Sequence, residues 1–195
     1  MKKYTFQPNT DWFSRNIFYW KKHLLSFKGK SNLNFLEIGS FEGRSAIWLL
    51  EHILFAPTSK LTCIDAFEEP PNDSFDCKLI ETNFLHNIKE TGALSRVNII
   101  KEYTHTVLPT LQPNSFDFIY IDASHKAKDV LDDTVFSWRL LKSKGLLFFD
   151  DYKYIEGDTA IDCPKMAIDA FLSMRPSEYN ILDHDYQLYI QKLDR

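Results

Sequence analysis

Three aspartates and a histidine offer the chemistry that is easiest to name. Asp122 closes the apolar run Phe116–Ile121, and Asp150 with Asp151 closes the run Gly145–Phe149. If both runs are strands of one open α/β sheet, the three carboxylates meet at its carboxyl edge, where such sheets hold their ligands. Carboxylates gathered in one crevice repel each other unless a cation sits among them, and oxygen donors suit Mg2+, Mn2+ or Ca2+ better than zinc. His125, three residues after Asp122, titrates near neutrality and can take a proton from a hydroxyl whose pKa a metal has lowered. Taken singly, each aspartate reads equally well as a loop or helix cap, and His125 as a solvent-facing helix residue. The histidines at 23, 52, 86, 105 and 184 have no comparable neighbours.

A second chemical segment is Asn34-Phe-Leu-Glu-Ile-Gly-Ser-Phe-Glu-Gly-Arg-Ser45. Gly39 allows a sharp turn and close approach of a ligand to the backbone, and the helix that follows offers unpaired N–H donors. A dinucleotide fingerprint needs glycines as G-x-G-x-x-G. Here they stand four apart, the middle one is missing, and Glu37 precedes them. That carboxylate repels a phosphate and suits a cation. S-adenosylmethionine, with an α-amino group, a sulfonium and no phosphate, fits this chemistry. Asp65 ends the run Lys60–Ile64, about twenty residues past the turn, where an acidic side chain accepts ribose hydroxyls. Ala66 and Phe67 then border the sugar and adenine. The competing reading makes Asp65 a cap of the next loop.

These residues require a particular scaffold. Apolar runs at Asn34–Ile38, Lys60–Ile64, Val97–Lys101, Phe116–Ile121 and Leu146–Phe149 alternate with helical patterns at Glu42–Phe55, Ser74–Thr91, His105–Leu111 and His125–Leu141. In the last helix, Leu131, Val135 and Trp138 share one face, while Asp129, Asp132 and Asp133 are expected to point elsewhere. Strands separated by helices imply a parallel, doubly wound α/β sheet. After a helix at Pro164–Met174, the runs Tyr179–Leu182 and Tyr186–Leu193 are joined only by Asp183–Asp185. So short a link makes an antiparallel hairpin. At the other end, Trp12, Phe13, Ile17, Trp20 and Leu24 predict an amphipathic helix over Asp11–Phe27. Residues 1–32 are thus a helix and loop able to act as a lid, and the loops Glu68–Phe75 and Glu156–Pro164 can line the same pocket.

The chain of 195 residues is sized for a single domain spanning 1–195. A net charge of −4 argues against a surface that tracks phosphates, hence no nucleic-acid partner. No apolar run reaches membrane-spanning length, and Met1-Lys2-Lys3 leads into no apolar stretch. Cys63, Cys77 and Cys163 are odd in number and widely spaced, which predicts neither disulfides nor zinc and fits a reducing cytoplasm. Sixteen Phe, nine Tyr and four Trp supply apolar area for the core.

The Asn34–Ser45 segment resembles the glycine-rich motif of class I S-adenosylmethionine-dependent methyltransferases, and the resemblance runs to about Tyr152. It is most similar to the small-molecule O-methyltransferases related to catechol O-methyltransferase. The nearest branch includes macrolide-sugar O-methyltransferases and cephalosporin-hydroxylase-like proteins. The resemblance implies a seven-stranded, mostly parallel sheet with a final antiparallel strand. It also implies a cofactor set of Glu37, Gly39, Ser40, Gly43, Ser45, Asp65, Ala66, Phe67, Thr104 and Asp122, with metal ligands Asp122, Asp150 and Asp151. In metal-dependent relatives the three metal positions are Asp, Asp and Asn, so Asp151 replaces an Asn and its ligation stays open. His125 stands where relatives carry a Lys or His general base. The implied reaction is methylation of a hydroxyl on a small molecule or sugar. Rivals are a catalytically silent cofactor-binding protein and a nicotinamide-dependent oxidoreductase. Homo-oligomerisation is left open.

Overall fold

The computed structural model describes residues 4–68, 76–155 and 163–194. Its centre is a seven-stranded sheet in the order β3-β2-β1-β4-β5-β7-β6. The strands are β1 (Asn34–Ile38), β2 (Lys60–Ile64), β3 (Val97–Ile100), β4 (Phe116–Ile121), β5 (Leu141–Phe149), β6 (Tyr179–His184) and β7 (Leu188–Lys192). β1 to β5 pair in parallel; β7 runs antiparallel to both β5 and β6. This is the doubly wound, mostly parallel architecture with a C-terminal hairpin that the alternation of runs predicts. The predicted strand starting at Leu146 begins earlier, because helix α5 (Ala127–Leu140) passes directly into Leu141.

Strands covered on both faces are apolar throughout, and alternation then sends neighbouring side chains to opposite layers. Phe35, Phe118 and Phe148 enter one layer with Trp20 and Leu24 of α1 (Ile17–Leu24), Trp48 and Leu49 of α2 (Arg44–His52), and Ile80, Phe84 and Ile88 of α3 (Cys77–Glu90). Leu36, Ile119 and Leu147 enter the other, against α5 and Phe171 and Leu172 of α6 (Pro164–Ser173). The strand order reverses at β1 and β4, and in open α/β sheets the crevice beyond that reversal is the ligand site.

Two predicted helices differ from expectation. The N-terminal stretch is three pieces: 3-10 turns at Ser14–Asn16 and Leu25–Phe27 flank α1. Asp11 accepts from the Ser14 amide at 3.0 Å and its hydroxyl at 2.8 Å, a local alternative to regular helix bonding. In α5 the buried face is Val130, Asp133, Thr134, Ser137 and Trp138, whereas Val135 is exposed. Asp133 thus points inward, paired with the Thr104 hydroxyl, and burial pushes its carboxyl up to about 6. Among the described residues, no helix is long and apolar enough to cross a membrane.

Candidate active site

The turn after β1 is bound to both neighbouring strands. Gly39 N donates to Ile64 O at 2.9 Å, and Asp122 N donates to Ile38 O at 2.7 Å. Gly39 has φ +82°, and a Cβ there would lie 2.0 Å from the Asp122 carbonyl oxygen. The backbone just beyond β4 therefore packs directly against this glycine. Gly43, at φ +84°, is the left-handed residue that starts α2, and a Cβ would meet the Phe84 ring at 3.0 Å.

Beneath the turn, Glu37 is fully buried. Its Oε2 accepts the Ser40 hydroxyl at 2.6 Å and the Cys63 thiol at 3.6 Å, and among the described residues Oε1 has no hydrogen-bond partner. Burial pushes this carboxyl up to about 7, against the opposing bonds from Ser40, Ser45 and Cys63. A buried carboxylate with one oxygen left unpartnered favours a cation nearby. Asp65 Oδ2 accepts the amides of Ser40 at 2.7 Å and Phe41 at 2.9 Å, while Oδ1 accepts that of Phe67 at 2.7 Å. Asp65 thus knits the β2 loop to the glycine turn, the capping reading; Oδ2 is filled by its two amides, and Oδ1 retains a second lone pair for a hydroxyl. Phe67 is buried against Phe84, so Ala66 is the half-buried member of the pair. Thr104, the first residue of α4 (Thr104–Val107), bonds Asp133.

Glu42, inside the turn, was not assigned a role from sequence. It is almost fully buried and holds the N-terminal strap. Its carboxylate accepts the Gln7 amide at 3.0 Å, the Thr10 hydroxyl at 3.1 Å and the Asn83 amide at 2.7 Å. The strap is thereby closed over the start of α2, where the Arg44 guanidinium also stacks on Phe6.

Beyond β4 and β5 the structure brings Asp122, Asp150 and Asp151 together, with one carboxylate oxygen of each within 4.8 Å of the others. Burial, then the charges of Asp150 and Asp151, holds the Asp122 carboxyl well above the usual carboxylate range. Burial and the Asp151 charge push Asp150 up to about 6. The Tyr120 hydroxyl is likewise raised, by burial first and then by Asp122 and Asp150. His125 Nε2 lies 2.8 Å from Asp151 Oδ2, and its ring centroid lies 4.4 Å from that of Tyr154. Asp151 Oδ1 accepts the Tyr186 hydroxyl at 2.6 Å. Three hard oxygen donors with excess negative charge match a divalent cation. Asp151 serves His125 and Tyr186, while Asp150 accepts from Gln187 and Asp122 is bonded to Tyr120 and Asp150.

Sequence reasoning missed the residues behind this cluster. Gln187, between the hairpin strands, is fully buried and bonds Asp150, Tyr120, Trp20 and Tyr189. A glutamine in a predicted strand carries no signal of burial, and Trp20 read only as part of an apolar face. The loop segments at 69–75 and 156–162 lie outside the described residues.

A family described as a methyltransferase domain matches residues 36–152. An uncharacterized protein of Acanthamoeba polyphaga mimivirus is 28% identical over 130 residues, which are 64% of this chain and 53% of that protein. The chain therefore spans about half the length of that relative. The structure of a Corynebacterium glutamicum protein is similar with a TM-score of 0.71 at 17% identity, over 94% of this chain and 82% of that one. The O-methyltransferase TomG of Streptomyces achromogenes, involved in tomaymycin synthesis and solved with S-adenosylmethionine, is similar with a TM-score of 0.63 at 18% identity. That match covers 88% of this chain and 78% of TomG. At such identities the likeness is one of fold.

Proposed function

The chain belongs to the methyltransferase-domain family, and from that premise we propose that it transfers a methyl group from S-adenosylmethionine to a hydroxyl of a small molecule or sugar, assisted by a divalent cation such as Mg2+. The observation that carries this reading is the contact between two sites. The glycine turn and the carboxylate cluster meet where Gly39 lies against the Asp122 backbone, so a methyl donor on the turn and an acceptor on the cluster would be neighbours. TomG, an O-methyltransferase solved with S-adenosylmethionine, agrees with it.

In this reading Asp65 Oδ1 accepts a ribose hydroxyl, and Glu37 supplies negative potential beneath the turn for a cationic cofactor. The same carboxylate disfavours the pyrophosphate of a nicotinamide dinucleotide. Asp122 and Asp150 hold the cation, which would lower the pKa of an acceptor hydroxyl. His125 takes the hydroxyl proton, and Asp151 at 2.8 Å stabilises the resulting imidazolium and fixes the ring. Asp151 then acts chiefly through His125, which accounts for an Asp where metal-dependent relatives carry an Asn. Most of the rate enhancement would come from orienting donor and acceptor, because an in-line displacement needs little covalent help.

Calorimetry tests the cofactor assignment directly. The proposal expects S-adenosylhomocysteine to bind and NAD to show no heat, with Asp65→Ala weakening the former. Tight binding of NAD alone would overturn it.

A further inference from the structure

Gln187 makes four hydrogen bonds from a fully buried position in the hairpin connection, just before β7. Its Nε2 donates to Asp150 Oδ1 and, at 3.0 Å, to the Tyr120 hydroxyl. Its Oε1 accepts from the Trp20 indole at 2.9 Å and from the Tyr189 hydroxyl at 2.8 Å. The indole N–H can only donate, so whatever faces it must be an acceptor. Trp20 therefore decides which way the amide points, and the amide N–H2 is left facing Asp150. The preceding residue shows the same pattern: Arg15 lies over the Tyr186 ring at 3.8 Å, and the Tyr186 hydroxyl donates to Asp151. Each of the two hairpin residues thus grips one carboxylate of the cluster and is itself held by the N-terminal segment.

We propose that Gln187 is a positioning residue for Asp150, and that Trp20 of α1 sets its orientation, so that the N-terminal helix shapes the cation site from behind. This rests on the divalent-cation reading of the cluster. A bond to one carboxylate oxygen fixes the rotation of Asp150 while leaving lone pairs for a metal. Without that bond Asp150 would turn among two like charges and a buried tyrosine. A purely structural role would require only that the amide be satisfied, and its loss would then lower stability without changing cation affinity.

The test is Mn2+ titration of the full chain without cofactor, read by electron paramagnetic resonance of free Mn2+, with melting temperature measured in parallel. Loss of a group that orients a metal ligand typically weakens affinity about 10–100-fold. Gln187→Leu is expected to fall in that range. Trp20→Phe keeps an aromatic ring but releases the amide, and a smaller loss of about 3–10-fold is expected by the same rule. Trp20→Phe also decides the matter if Gln187→Leu fails to fold. Wild-type affinity in either folded variant overturns the proposal and leaves the cation reading intact. No Mn2+ binding by the wild-type chain overturns both.

Discussion

The two halves of the candidate site are built in opposite ways. The glycine turn is held by local and neighbouring-strand bonds: Asp65 takes three backbone amides, Glu42 closes the strap, and Gly39 leaves no room for a side chain. The carboxylate cluster collects like charges at the ends of β4 and β5, and its partners arrive from the hairpin and the N-terminal segment. One half is stable as it stands. The other stores repulsion that a cation would relieve. The contrast separates a rigid platform for a cofactor from a site whose electrostatics are completed by what it binds.

The contrast can be broken from the rigid side first. Gly39→Ala would place a methyl 2.0 Å from the Asp122 carbonyl oxygen at a positive φ. A loss of about 4 kcal/mol or more is expected, visible as insoluble or unfolded chain in urea titration. A stable Gly39→Ala protein would mean that the strand ends are not locked together. On the other side, His125→Ala is expected to lower turnover about 100- to 10,000-fold, while S-adenosylhomocysteine affinity in calorimetry stays unchanged. Turnover at the wild-type rate removes His125 from the chemistry.

A smaller effect is expected from Glu42→Gln. The new amide would face the Gln7 and Asn83 donors, at a cost of about 1–3 kcal/mol in denaturant unfolding, with Mn2+ affinity unchanged. An altered Mn2+ affinity would show that the strap and the cluster are coupled. The smallest effect concerns pH. The Glu37 carboxyl is raised from 4.5 to about 7 in the fold, so the folded chain keeps a proton that the unfolded chain has released. Its stability is therefore fully present below about 4.5 and is lost as pH rises towards 7, at no more than about 1.4 kcal/mol per pH unit for one group. Asp133, pushed up to about 6, adds to the lower part of that range. Glu37→Gln should make the decline between pH 6 and 7 shallower; an unchanged slope would show that Glu37 is not the group that titrates there.

Legibility in the sequence follows the same division. Strands such as Asn34–Ile38 and Phe116–Ile121 stand where mostly apolar runs predict them, because burial on both faces leaves few polar positions, here chiefly Glu37 and Asp117. Asp122, Asp150 and Asp151 were visible as strand-terminal acids whose meeting follows from sheet topology alone. Gln187 and Trp20 were not, because their roles depend on a contact between the two ends of the chain that no local pattern encodes. Asp133 misled for a related reason: an acid in a helix reads as solvent-facing until Thr104 supplies its partner. Gly39 reads correctly as a sharp turn, but spacing reports only the need for glycine and not that the Asp122 backbone crowds it.

The central claim is that the two halves act together as a cation-assisted methyltransferase. Its most direct test is transfer of labelled methyl from S-adenosylmethionine to a panel of hydroxylated small molecules and sugars, before and after chelation. The account predicts label on a hydroxyl oxygen, lost with chelator and restored by Mg2+ or Mn2+. Transfer that ignores the chelator, or cofactor binding with no acceptor labelled under either condition, would contradict it.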